Sequence, residues 1–272
     1  MSAQAFGTLA VRTVEKPWGR DHLPAPFVAP YGKRIGEIWF EPVEAVLSLL
    51  VKYIFTSEKL SVQVHPDDAQ AKDLGEYDTG KEECWLVIDA EPGATLGIGF
   101  REPLGADAMR AAALDGSIED LLEWHPVQAG DFFYIPAGTV HAIGAGVSLI
   151  EIQQNSDVTY RLYDYGRPRP LHLDKGLEVA RGEPYSPALH RHLAPTGTVE
   201  LARGPYFTAH RVEGVPDAAL LAEYDGPMLV LPRRGEVDLA GDVLRPGECA
   251  AAPSASAVTF APDGQSILVR AA

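Results

Sequence analysis

Short apolar runs bounded by turn residues dominate this chain, and they predict strands. Up to residue 165, the predicted strands are 35–40, 46–55, 60–64, 84–89, 95–100, 132–135, 149–153 and 159–165. Beyond residue 165, they are 199–202, 206–212, 228–231, 236–239, 258–261 and 266–270. The pattern therefore predicts a mainly β protein.

Helical periodicity is confined to a few segments. The strongest runs from 105 to 124, where Gly116 predicts a break and Ser117 a second helix start. Another short helix is predicted to begin at Asp174. Prolines and glycines between 184 and 197 predict a linker. We therefore expect two β units, residues 1–192 with a helical insertion at about 101–125, and residues 193–272.

Two segments, 130–141 and 247–258, resemble each other. Each begins with Gly and an acidic residue, continues as an apolar strand, and has a proline six residues after the Gly. His141 in the first corresponds to Val258 in the second. We interpret them as two copies of one β-barrel unit, the second without its ligand. Chance similarity between two strand–turn segments is the alternative.

Composition narrows the class of protein. Apolar residues make up 46% of the chain and charged residues 22%, as in ordinary globular proteins. The net charge of −15 argues against nucleic acid or an anionic membrane as a partner. A phosphorylated small molecule would need a local basic cluster. Cys84 and Cys249 predict buried thiols rather than a disulfide.

The start of the chain and its most apolar stretch both bear on location. Residues 1–6 contain no basic region followed by an apolar one, so no signal peptide is predicted. The stretch 45–55 is interrupted by Lys52 and is too short to span a bilayer. We expect a cytoplasmic protein.

Residues 60–66 place polar side chains on one face of a predicted strand. Because side chains alternate along a strand, Ser61, Gln63 and His65 point one way and the apolar residues between them point the other way. This polar face is either the solvated face of an edge strand or the ligand-bearing interior of a barrel.

Two later segments carry residues that could form a metal site with Gln63 and His65. Lys81 and Glu83 share a face where a strand begins, although a solvated turn would look the same. His141 follows an apolar strand and a Pro-Ala-Gly turn, a pattern typical of cupin barrels. With Gln63 and His65, Glu83 and His141 form a candidate site for one Zn²⁺ per chain, and the lack of thiolates favours a catalytic site.

An iron(II) oxygenase triad is an alternative metal site. Asp67 lies two residues after His65, as that triad requires. Pro66 between them predicts that the strand has already ended. The triad therefore remains formally open but is disfavoured.

Residues 151–169 carry further polar groups. Glu151 and Gln153 share one strand face. Arg161, Arg167 and Arg169 supply the local basic cluster that a phosphate would need. Surface arginines paired with acidic residues are the alternative in so acidic a chain.

Four segments together resemble type I mannose-6-phosphate isomerases, in their compact bacterial form, of the cupin superfamily. They are Leu-Ser-Val-Gln-Val-His-Pro-Asp-Asp (60–68), Gly-Lys-Glu-Glu-Cys-Trp (80–85), Ile-Pro-Ala-Gly-Thr-Val-His-Ala (135–142) and Gln-Asn-Ser-Asp-Val-Thr-Tyr-Arg (154–161). The resemblance covers residues 14 to 180. It implies a cupin (jelly-roll) barrel followed by a smaller, degenerate cupin-like β unit.

The resemblance also implies an activity and a set of site residues. The activity is interconversion of mannose 6-phosphate and fructose 6-phosphate through a cis-enediol. Zinc would be held by Gln63, His65, Glu83 and His141. The catalytic residues would be Arg161, Lys81 and Glu151, and the phosphate would contact Ser61 and Arg167.

The chain departs from the family pattern in three places. Ile143 stands where the family commonly has Tyr, the loop from His141 to Glu151 is one residue longer, and the helical insertion is short.

Two other functions remain open. One is a sugar-binding regulatory cupin without turnover, and the other is an isomerase of an unphosphorylated or different sugar. The oligomeric state is not predicted.

Overall fold

The computed structural model describes residues 6–272, in which strands predominate. The strands are β1 (Gly7–Thr8), β2 (Val11–Arg20), β3 (Ile35–Phe40), β4 (Leu49–Phe55), β5 (Val62–Val64), β6 (Glu83–Ala90), β7 (Thr95–Phe100), β8 (Leu122–Pro126), β9 (Asp131–Ile135), β10 (His141–Ile143), β11 (Val147–Gln154), β12 (Tyr160–Tyr163), β13 (His190–His192), β14 (Val199–Arg203), β15 (Phe207–Glu213), β16 (Met228–Arg234), β17 (Val237–Leu239), β18 (Asp242–Leu244), β19 (Ala250–Ala252), β20 (Val258–Phe260) and β21 (Gln265–Ala271).

The helices are short. They are α1 (Asp68–Asp73), α2 (Ala106–Asp115), α3 (Ile118–Leu121), α4 (Leu173–Val179) and α5 (Ala218–Glu223), with 3₁₀ turns at Glu44–Val46, Pro187–Leu189 and Ala255–Ala257. No helix within residues 6–272 has the length and apolar character needed to cross a membrane. The predicted mainly β class is confirmed.

Two antiparallel sheets form the first barrel. One has seven strands in the order β13-β9-β6-β11-β4-β3-β2, and the other has five in the order β12-β5-β10-β7-β8. Apolar side chains from both sheets, including Trp85, Leu96, Ile98 and Leu149, pack into one buried cluster. This packing is what a jelly roll requires of its inward-facing residues.

Two further sheets make the second unit. Six strands lie in the order β1-β19-β16-β21-β15-β14, and three in the order β18-β17-β20. Another buried cluster joins the two units, with Phe55 and Ile152 of the first packed in it alongside Leu229, Leu231 and Val269 of the second. The outer face of the seven-stranded sheet is therefore covered by the second unit.

The helical insertion follows the prediction closely. Gly116, with φ of 87°, ends α2 in the left-handed conformation before α3 begins. Ser117 stands at the predicted cap position of α3, but its hydroxyl donates to Asp115 Oδ1 instead of capping the helix. The predicted linker contains β13, which pairs with β9 and so belongs to the first barrel.

The two similar segments share a left-handed glycine and the order of their strands. Gly130 and Gly247 have φ of 96° and 95°, a strand follows each, and His141 and Val258 each begin the next strand. Val258 is buried among apolar residues. The predicted domain boundary at residue 192 stays a prediction. The short strand β1, near the start of the first unit, joins the six-stranded sheet of the second unit. The prediction that residues 1–6 carry no signal peptide falls mostly on residues 1–5, which lie outside the described residues.

Candidate metal centre and active-site cavity

Strand pairing brings three potential metal ligands together inside the first barrel. His65 follows β5, Glu83 begins β6 and His141 begins β10. One ligand atom from each residue lies within 4.8 Å of the others. His65 Nε2 is 3.8 Å from Glu83 Oε2, and His141 Nε2 is 3.5 Å from Glu83 Oε1. All three side chains are buried.

The loops that carry His65 and Glu83 lie against each other. Lys81 N donates to Pro66 O at 3.0 Å, and Gly80 N donates to Asp68 Oδ1 at 2.8 Å. A Cβ on Gly80 would lie 2.4 Å from the carbonyl carbon of Asp67, so only glycine allows this approach. Gly80 is therefore required for the close packing of the two loops, and Lys81 beside it supplies the charged group.

Backbone carbonyls orient the two imidazoles. The Nδ1–H of His65 donates to Val158 O at 2.7 Å, and that of His141 donates to Thr139 O at 2.9 Å. Each ring therefore presents the lone pair of Nε2 to the centre. Burial lowers the pKa of His141 to about 4, and burial together with the nearby Lys81 lowers the pKa of His65 well below its ordinary value. Both rings are neutral at pH 7, the form that binds a metal.

Glu83 completes a donor set that fits a divalent cation. Neither of its carboxylate oxygens makes a hydrogen bond of good geometry, although Lys81 Nζ lies 2.8 Å from Oε2. Burial raises the pKa of Glu83 above its ordinary value. A buried carboxylate with unfilled acceptor positions beside two imidazole nitrogens is costly unless a cation is bound there.

Gln63 lies beside this cluster. Its Cα pairs with those of both His141 and Arg161, because β5 lies between β10 and β12. The amide Nε2 is 3.3 Å from His141 Nε2, and Oε1 accepts from Ser61 at 3.2 Å. Rotation of the amide by half a turn exchanges these two atoms. Ligation of the metal by Gln63 stays a prediction.

A cavity of about 590 Å³ adjoins the cluster. Ser61, Gln63, Lys81, Glu151 and Arg161 are predicted site residues that line it. The cavity also brings several further basic side chains together in this acidic chain, namely Lys16, Lys52, Arg169 and Lys175. Of the basic cluster predicted for a phosphate, Arg161 and Arg169 line this cavity and Arg167 does not.

Known proteins resemble the chain in sequence over part of its length. Identity is 40% with mannose-6-phosphate isomerase of Streptococcus mutans over 184 residues, which are 64% of this chain and 57% of that protein. It is 44% with mannose-6-phosphate isomerase ManA of Bacillus subtilis over 137 residues, which are 48% of this chain and 43% of that protein. The chain thus spans about half the length of these curated relatives. No protein-family model matches it.

Solved structures match nearly the whole chain. The crystal structure of mannose 6-phosphate isomerase from Bacillus subtilis superposes with a TM-score of 0.75 at 24% identity, covering 98% of this chain and 100% of that one. A zinc-bound mannose 6-phosphate isomerase superposes with a TM-score of 0.71 at 15% identity, with the same coverage. The chain has the phosphomannose isomerase fold. The resemblance and the cupin-type fold expected from the sequence are confirmed.

Within this phosphomannose isomerase fold, Glu151 is held by three neighbours. Its Oε1 is 3.0 Å from Lys52 Nζ and 3.6 Å from Lys81 Nζ, and its Oε2 accepts from Trp85 Nε1 at 3.2 Å. Burial alone would raise the pKa of Glu151, but the two ammonium groups outweigh it and lower the pKa. Although burial opposes it, the carboxylates of Glu151 and Glu83 raise the pKa of Lys81. Glu151 is therefore ionised and Lys81 protonated at neutral pH.

Sequence analysis missed Lys52 as a site residue. It was considered only as an interruption of an apolar run, yet its side chain is buried on β4 directly opposite Glu151. A single lysine within a buried strand was the available signal, because a buried lysine needs an ionic partner.

Sequence analysis also missed the role of His172. His172 N donates to Arg161 O at 2.8 Å, and Arg161 N donates to His172 Nδ1 at 3.2 Å. His172 therefore fixes the backbone of Arg161. The side chain of Arg161 itself lines the cavity and makes no hydrogen bond or ion pair within the described residues.

We expect replacement of His172 by alanine to lower kcat/KM of the isomerisation proposed below about tenfold. The reason is that the change removes one hydrogen bond and loosens the placement of Arg161. His172→Asn should recover much of the loss, because its Oδ1 can accept the same N–H. Steady-state kinetics of both variants check this. Equal losses in the two variants would contradict a positioning role.

Arg167 does not line the cavity. Its Nη1 donates to Asp164 at 3.2 Å and its Nη2 donates to Glu58 at 3.0 Å. Its guanidinium also lies over the ring of Tyr165, 5.5 Å from the centroid. The predicted phosphate contact of Arg167 stays a prediction, as does that of Ser61, which is buried at the cavity wall.

Proposed function

We propose that this protein is a zinc-dependent aldose–ketose isomerase that interconverts mannose 6-phosphate and fructose 6-phosphate in the cytoplasm. The buried cluster of His65, Glu83 and His141, adjoining a cavity lined by Lys81, Glu151 and Arg161, carries the proposal. Similarity to curated mannose-6-phosphate isomerases supports it.

The proposed zinc site uses His65, Glu83 and His141, with Gln63 as a fourth ligand. Nitrogen and oxygen donors without thiolate are typical of catalytic zinc, which keeps a position open. A zinc ion there would supply a fixed positive charge and a Lewis acid for oxygen atoms of the substrate.

In the direction from aldose to ketose, C2 and the O2 hydroxyl each lose a proton and C1 and O1 each gain one, through a cis-enediol. Glu151 is ionised, so it is the proton acceptor of the two candidates, and Lys81 is protonated, so it donates hydrogen bonds to the substrate oxygens. Among residues 6–272, no carboxylate lies within salt-bridge distance of Arg161, so its guanidinium is available to stabilise the negative charge of the enediolate. Lys52 holds Glu151 in place through its ion pair.

A coupled assay for fructose 6-phosphate formation tests the proposal. We expect turnover of mannose 6-phosphate, loss of turnover after removal of metal with a chelator, and recovery on addition of Zn²⁺, because the buried donor set lacks its cation without the metal. Binding of the sugar phosphate without turnover would indicate a regulatory sugar-binding protein. Faster turnover of mannose than of mannose 6-phosphate would indicate an isomerase of unphosphorylated sugars.

A further inference from the structure

A sharp turn after β12 places two arginines around one buried carboxylate. Tyr165 and Gly166 both adopt the left-handed conformation, with φ of 54° and 74°. The chain therefore doubles back, and Arg167 and Arg169 both donate to Asp164, which is only 2% exposed. Both arginines donate to Asp164, but their other contacts differ.

Arg169 faces the cavity and Arg167 does not. The Nε and Nη2 of Arg169 each donate to Asp164 at 2.6 Å, so the guanidinium is fixed as a fork. Its Nη1 has no protein partner within the described residues. In Arg167 both terminal nitrogens are already engaged, one by Asp164 and the other by Glu58.

The side chain of Arg161 lines the same cavity and feels the charge of Arg169. Burial lowers the pKa of Arg161, and repulsion from Arg169 is the next largest cause. Both residues line the cavity, so the positive charge of Arg161 adds to that of Arg169 in attracting an anion. A phosphate ester presents several acceptor oxygens, and the planar guanidinium of Arg169 matches them well.

We propose that Arg169, fixed by Asp164, binds the phosphate group of the substrate and sets the preference for a phosphorylated sugar. This rests on the proposed function in naming the substrate as a sugar phosphate. The binding of phosphate itself does not depend on turnover.

Kinetics and calorimetry on the metal-loaded protein test the assignment. Arg169→Ala is expected to lower the ratio of kcat/KM for mannose 6-phosphate to that for mannose about 10- to 100-fold, the cost of losing a charge-assisted hydrogen bond. The dissociation constant for inorganic phosphate, measured by calorimetry, should rise with it. Arg169→Lys should give an intermediate loss, because it keeps the charge without the fork.

Arg245→Ala serves as the control, because Arg245 is an exposed arginine of the second unit, paired with Glu236, away from the cavity. Thermal unfolding of each variant reports on folding. Wild-type phosphate binding in Arg169→Ala, or a larger loss in Arg167→Ala than in Arg169→Ala, would overturn the proposal. If the wild type turns over neither sugar while Arg169→Ala still weakens phosphate binding, the isomerase function fails and the phosphate site stands.

Discussion

Replacement of His141 by alanine is expected to abolish metal binding and isomerase activity together. His141 supplies one of three buried donors, and its Nε2 lies 3.5 Å from Glu83 Oε1. Loss of the groups that merely orient a metal ligand already costs about 10- to 100-fold, so we expect at least about a 100-fold fall in kcat/KM. Elemental analysis of the dialysed protein, run beside the coupled assay, measures both quantities.

His192→Ala is the matched control, because His192 is half-exposed and bonds to Asp131 outside the cavity. It should retain metal and turnover. Full metal content in His141→Ala would rule out His141 as a ligand. A protein that loses metal yet keeps wild-type turnover would rule out a role of the metal in the reaction.

Replacement of Glu151 by glutamine should lower kcat by about 10²- to 10⁴-fold while leaving the metal in place. Glutamine keeps the size of the side chain and can still accept the hydrogen bond from Trp85, but it cannot take up a proton at neutral pH. Glu151 also has no contact with the imidazole nitrogens short enough for a salt bridge. Stopped assays and metal analysis of the same preparation check the two expectations.

Glu236→Gln makes the same chemical change on the exposed surface of the second unit and is the control. A wild-type kcat in Glu151→Gln would exclude Glu151 as the proton acceptor and leave Lys81 as the candidate. A loss of metal as large as the loss of activity would instead make Glu151 a support of the metal centre.

The metal centre was accessible from the sequence because its signals are local. Alternation placed Gln63 and His65 on one face, and the Pro-Ala-Gly turn after an apolar strand singled out His141. The structure brings His65, Glu83 and His141 within reach of one cation. The break at Gly116 was equally local, since it depends on the conformation of one glycine.

The parts that escaped prediction depend on pairing between distant strands. Lys52 meets Glu151 only because β4 and β11 pair in one particular register, which no local pattern specifies. The difference between Arg167 and Arg169 depends on a turn in which Tyr165 takes a conformation unusual for its type. The strand β13 was not predicted, because the prolines and glycines of its segment predicted a linker instead.

The pairing of Gly7 with Ala251 has a consequence for how the chain is made. The strand that closes one edge of the six-stranded sheet is synthesised long before its neighbour, because the two are far apart in the sequence. The outer apolar face of the nascent barrel, which includes Phe55 and Ile152, is therefore exposed to water until Leu229 and Val269 have been synthesised and can cover it. Such late, long-range pairing is intrinsically slow, and this interval is when the newly made protein is most exposed to aggregation.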